Sequence, residues 1–117
     1  MARPYVLLVN DRPNCLHATE AVLQSAGYNV STATNAFDAF LLMRSHIFDL
    51  LLLECIRDWS WIVREAKRTN PNIRSAVCLG NVTLDQVPFV DVVLYKPISP
   101  SVLLRRIVEL FSTARAA

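Results

Sequence analysis

A chain of 117 residues, 53% hydrophobic and 19% charged, is not a disordered tail and has the length of about one domain. Its net charge of +2 is too small to require nucleic acid or an acidic membrane surface as partner, and no stretch approaches the roughly 20 apolar residues that cross a bilayer. Three cysteines, Cys15, Cys55 and Cys78, odd in number and without CxxC spacing, suggest neither a disulfide framework nor a zinc site and predict free thiols.

Met1-Ala2-Arg3-Pro4 carries no signal-peptide pattern, so a cytoplasmic location is expected. It leads into Val6-Leu7-Leu8-Val9-Asn10-Asp11, an apolar strand ending in a carboxylate. Pro13 to Gly27 has apolar residues at helical spacing, with Gly27 placed to end the helix in a left-handed conformation. Tyr28 to Ala33 alternates as a short strand. Asn35 then caps a helix running to about Ser45, with Asp38 on the positive end of its dipole. Phe48 to Glu54 is an apolar strand ending in a second carboxylate, followed by a helix over Trp59 to Thr69 and a strand over Ile73 to Leu79. The interval from Gly80 to Lys96 is short and contains Pro88, and Asn81 to Gln86 is its one cappable run. A helix there is predicted to be missing or reduced to about a turn. Val92 to Tyr95 is the fifth strand, ending at Lys96-Pro97, and Ser99-Pro100 starts a last helix through about Phe111. No repeat, linker or low-complexity tract interrupts this order, so residues 1–117 are expected to form a single domain.

In an open parallel α/β sheet, fully covered strands read as continuous apolar runs and their carboxyl ends open onto the functional crevice. Asp11, Glu54 and Lys96 would therefore share one edge. Acid, acid and cation at three strand ends resemble the receiver domain of bacterial two-component response regulators of the chemotaxis-regulator type, from about Tyr5 to Phe111. The resemblance implies a flavodoxin-like, doubly wound, five-stranded parallel sheet of order 2-1-3-4-5, with the family's fourth helix, between strands four and five, absent or much shortened. It also implies signalling rather than enzymatic work.

The departures from that pattern bear on function. Where the family has two acids, a phosphorylatable aspartate, a Thr or Ser, a rotating aromatic and Lys-Pro, this sequence has Asn10-Asp11, Glu54, Gly80, Val93 and Lys96-Pro97. The resemblance would put Asp11, Glu54 and the Ile56 carbonyl on a magnesium ion. With Asn10 neutral the site is one negative charge poorer, and the added methylene of Glu54 works against the near-ideal octahedron magnesium demands, so binding should be weak or lost and no cofactor is required. A carboxylate displaced by about one C–C bond is also a poor acceptor, since placement errors of about 1 Å cost on the order of 100-fold. Glu54 could instead imitate part of a phosphorylated aspartate. The family also implies a cis bond before Pro97 that aims Lys96 into the site.

Two functions follow. One is a phosphorylation-independent pseudo-receiver that acts by protein contact, with a histidine kinase or another regulator as partner. The alternative is a working receiver that accepts phosphate from a histidine kinase with Mg2+. The bland reading is an ion pair kept only to satisfy buried charge at a strand edge. A nucleotide or flavin binder is disfavoured because Gly27 and Gly80 are the two glycines and no Gly-rich loop exists. A shortened fourth helix predicts a monomer, or a dimer that does not use the family's helix 4, strand 5 and helix 5 face, and an output made by contact, with no output domain on this polypeptide.

Other residues read as structural. His17 and His46 look isolated, and alternation points Cys55 away from Glu54 into a buried position. Trp59 and Trp61 stand near the site, one to cover Glu54 and the other exposed as a binding anchor. Arg64, Lys67 and Arg68 form a basic strip on one helix, read as a solvated face. Val102, Leu103, Ile107, Leu110 and Phe111 give the last helix more apolar surface than one face needs, so part of that helix is expected to be an interface.

Overall fold

The computed structural model describes residues 3–80 and 89–112. Its strands are β1 (Tyr5–Asn10), β2 (Asn29–Ala33), β3 (Leu50–Glu54), β4 (Arg74–Leu79) and β5 (Val92–Tyr95). The helices are α1 (Pro13–Ser25), α2 (Ala36–Ser45), α3 (Trp59–Thr69) and α4 (Pro100–Ser112). All strand pairs are parallel and the five-stranded sheet has the order β2-β1-β3-β4-β5, the doubly wound 2-1-3-4-5 arrangement that the resemblance implies. The expectation of a missing or shortened helix at Asn81 to Gln86 lies outside the described residues.

Strand alternation divides the core into two layers. Leu7, Val9, Leu51, Leu53 and Val77 pack with Ala39 of α2 and Ile62, Val63 and Ala66 of α3. Val6, Leu8, Leu50, Leu52, Ala76 and Cys78 pack with Leu16 and Leu23 of α1 and Leu103 and Ile107 of α4. Because both faces of β3 are covered, its run Leu50-Leu51-Leu52-Leu53 needs no polar alternation, and all four leucines are fully buried.

The turns follow their sequence signals. Gly27, with φ +93°, takes the left-handed position after α1, where the Arg3 guanidinium donates to the Ala26 carbonyl at 3.0 Å. The Asn35 side chain accepts from the Asp38 amide at 2.8 Å and caps α2, and Ser99 Oγ accepts from the Val102 amide at 3.3 Å at the start of α4.

Asp91 ties β5 to its neighbours. Its carboxylate accepts from the Ser75 amide at 2.7 Å and from Lys67 Nζ at 2.9 Å, which joins the start of β5 to β4 and α3. This corrects the basic strip at one position: Lys67 is a partly buried staple, whereas Arg64 and Arg68 are exposed as the solvated face, Arg68 bonded to Glu65 along the helix. His17 is likewise not isolated, because its Nδ1 lies 3.3 Å from Glu20 Oε1 one turn along α1.

Candidate functional site

The register lines up the carboxyl ends of three strands. Asn10 of β1 is opposite Glu54 of β3, and Glu54 is opposite Cys78 of β4. These three belong to the row that faces α1 and α4, and all are buried, with Asn10 1%, Glu54 7% and Cys78 1% exposed. Asn10 Nδ2 donates to Glu54 Oε1 at 3.5 Å, and Asn10 Oδ1 accepts from the Arg12 amide at 2.8 Å. Asn10 thus bridges the turn into α1 and the carboxylate.

Glu54 borders a small hollow of about 120 Å³ whose other walls include Thr19 and Val22 of α1 and Ile98 and Leu103 around α4. The cover beside Glu54 therefore comes from α1 and α4. Neither tryptophan was needed for it: Trp59 is half-buried against the α2 and α3 layer, and Trp61 is 55% exposed with its ring edge on Phe40 at 4.9 Å between centroids.

Asp11, one residue past β1, is exposed. Lys96 follows β5, its amide donates to the Leu79 carbonyl at 3.3 Å, and the Lys96-Pro97 bond is cis. Its ammonium bonds the Cys55 Sγ, and among the described residues it makes no ion pair with Glu54 or Asp11. This corrects the reading of Cys55. The residue has φ +46°, a left-handed conformation rare for a side chain with a Cβ, and that turn breaks the alternation of β3 and leaves the thiol half-buried within reach of Lys96. The other thiols are free as well, Cys15 exposed and Cys78 buried.

Burial pushes the Cys78 thiol from its ordinary 9.0 up to about 11, with the Glu54 charge adding to the rise and Lys96 opposing it. For Lys96 burial works downward, but the bond to Cys55 and the interactions with Cys55, Cys78 and Glu54 outweigh it and hold the ammonium above its ordinary pKa.

The remaining positions lie around this cluster. Ile56 is buried in the α2 and α3 layer. Val93 is half-buried at the middle of β5 opposite Val77, and Gly80 is exposed just past β4. A Cβ built on Gly80 meets nothing within 4 Å. Gly80→Ser should therefore change stability by no more than about 0.5 kcal/mol, with a slight gain from the stiffer unfolded chain; a thermal melt shifted down by many degrees would show that the position is sterically closed. The hydroxyl that is missing here has room to be present.

The magnesium implied by the resemblance fits these residues poorly. An amide N–H, not an oxygen, is turned toward Glu54, the Asn10 oxygen is occupied by the Arg12 amide, and only Asp11 offers an exposed carboxylate. Among the described residues no group of three His, Cys, Asp or Glu side chains is placed to hold a metal ion, and no helix is long and apolar enough to cross a membrane.

No protein-family model matches the sequence, and no curated protein matches it. Solved structures do match by shape. A CheY-like response regulator receiver domain protein from Methanospirillum hungatei superposes with TM-score 0.83 at 24% identity, covering 92% of each chain. The chemotaxis protein CheY4 of Vibrio cholerae gives TM-score 0.84 at 20% identity over 93% of this chain and 99% of its own. The response regulator protein TrrA of Thermotoga maritima, in complex with Mg2+-BeF, gives 0.81 at 20% identity over 92% of this chain and 98% of its own. At these identities what is shared is the architecture: the chain has the fold of a response-regulator receiver domain.

Proposed function

We propose that this chain is a receiver-like module of two-component signalling that acts by contact with a partner protein and does not run the phosphoryl switch. The observation that supports this is the division of the site: Glu54 is sunk among α1, α4 and Asn10, while the Lys96 ammonium bonds Cys55. A phosphoryl group needs its acceptor, a cation and a metal to converge on the same oxygen atoms. Here the acceptor and the cation hold different partners, Gly80 supplies no hydroxyl, and Val93 supplies no aromatic ring. Asn10, Asp11, Gly80, Val93, Lys96 and Pro97 keep the positions of a switch without its chemistry. A histidine kinase or another regulator is the kind of partner such a module would engage.

The competing reading, a receiver that still accepts phosphate with Mg2+, draws on the exposed Asp11 carboxylate and on the electrostatic coupling between Lys96 and Glu54. TrrA, whose structure holds Mg2+-BeF, shows what to test. In an amide NMR titration with Mg2+ and beryllofluoride, the shifts of Asp11, Glu54, Gly80 and Lys96 are expected to stay unchanged. Saturable shifts at those four residues would establish a working acceptor and overturn the proposal.

A further inference from the structure

Among the described residues, four of the seven large exposed apolar side chains belong to α2, α3 and the residue pair after α2, the others being Phe89, Tyr95 and Val108. Phe37 and Leu41, one turn apart on α2, are 69% and 47% exposed, Ile47 just past α2 is 81% exposed, and Trp61 on α3 is 55% exposed. The other face of α2 already meets the core through Ala39, Phe40, Leu42 and Met43, so these side chains are surplus to folding. Between α2 and α3 lies a groove of about 460 Å³ walled by Phe40, Met43 and Trp61, with Arg44 and Arg68 at its rim. It is larger than the hollow beside Glu54 and separate from it.

The charges around the groove are unbalanced. Glu65, the acid on its rim, is already bonded to Arg68, and Asp38 is tied to the Asn35 cap. Arg44 and the neighbouring Arg64 make no ion pair among the described residues. A guanidinium offers a planar, two-pronged donor that matches a carboxylate. Exposed aromatic and aliphatic anchors beside unmatched arginines suit the apolar face of a helix, with acids flanking the anchors. A second copy would bring the same arginines against these. The groove is concave, which suits a ridge of side chains better than a lipid surface.

We infer that the groove between α2 and α3 is the partner-docking surface, taking an amphipathic helix of another protein that carries large apolar anchors flanked by Asp or Glu. The inference rests on the contact function proposed above and adds where the contact is made. Trp61 is the central anchor, and Arg44 sets the charge preference.

The test is selection from a displayed library of amphipathic helical peptides about five turns long, with acidic, basic and neutral flanks equally represented, against the full chain. Selected peptides should be enriched in Asp and Glu and should bind about 30-fold more weakly to Trp61→Ala. They should lose a similar factor with Arg44→Glu, while Val108→Ala on the far side leaves affinity unchanged. Both altered side chains are exposed, and circular dichroism of the variants confirms folding. Recovery of basic or neutral peptides, of peptides indifferent to both variants, or of none overturns the inference. So does Trp61-dependent binding to anionic vesicles without peptide binding, or a Trp61-dependent dimer in light scattering. A beryllofluoride response at Glu54 would remove the switch-free reading while leaving a mapped groove standing, so the two failures are separable.

Discussion

Leu51→Ala and Leu52→Ala are each expected to lower the unfolding free energy by about 3–5 kcal/mol. The two leucines are neighbours in the chain, but alternation sends Leu51 into the α2 and α3 layer and Leu52 into the α1 and α4 layer, and both are fully buried. β3 is held between β1 and β4, so the backbone cannot settle into either cavity. The two substitutions open cavities in different layers, so the double variant is expected to lose packing on both faces of the sheet. Two losses of that size consume most of the roughly 5–15 kcal/mol available to a domain, and the double variant is expected to lose its cooperative unfolding transition. Guanidinium titrations followed by circular dichroism measure all three. If either single variant cost less than about 1 kcal/mol, its layer would not be a packed core.

The second large effect is a loss of stability at alkaline pH. The buried Cys78 thiol keeps its proton up to about 11, against 9.0 for an ordinary thiol. A group with a raised folded pKa binds its proton more tightly in the native state, so its contribution is complete below pH 9.0 and is lost as pH rises toward about 11. The slope is about 1.4 kcal/mol per pH unit, which gives a fall of up to about 3 kcal/mol across the window. Lys96, also held above its ordinary value, adds in the same direction at the upper end. Cys78→Ala should lie lower at neutral pH because it leaves a cavity, yet fall less steeply between pH 9 and 11. Equal slopes in the two proteins would mean that Cys78 ionises without cost to the fold.

The architecture was readable because most of its signals are local. Apolar runs of strand length, Gly27, the Asn35 and Ser99 caps and Pro100 mark the elements, and α3 and β5 fall on the expected residues. The bounds of β3 and β4 differ because Phe48 and Ile73 are buried outside the strands they precede. The candidate site was readable only as a set of strand ends. Which way Glu54 turns depends on the row it shares with Asn10 and Cys78, and that row is fixed by the register between strands. The Lys96 to Cys55 bond depends on the left-handed turn at Cys55, which no glycine or asparagine announces. Asp91 sits outside any periodic segment, so its role as a staple appears only when β4, β5 and α3 are brought together. The His17 to Glu20 pair is local, its i,i+3 spacing on α1 being visible in the sequence itself.

The four leucines of β3 also have a meaning for the chain before it folds and after it opens. Leu50 to Leu53 is an uninterrupted apolar stretch without charge or proline, a composition that favours self-association when exposed. In the native sheet it is the central strand, away from both edges, so it is withheld from other molecules. In the open chain its protection reduces to Asp49 and Glu54, one carboxylate at each end, placed as gatekeepers against aggregation. Glu54 therefore serves the unfolded protein by repulsion, whatever it does in the folded one.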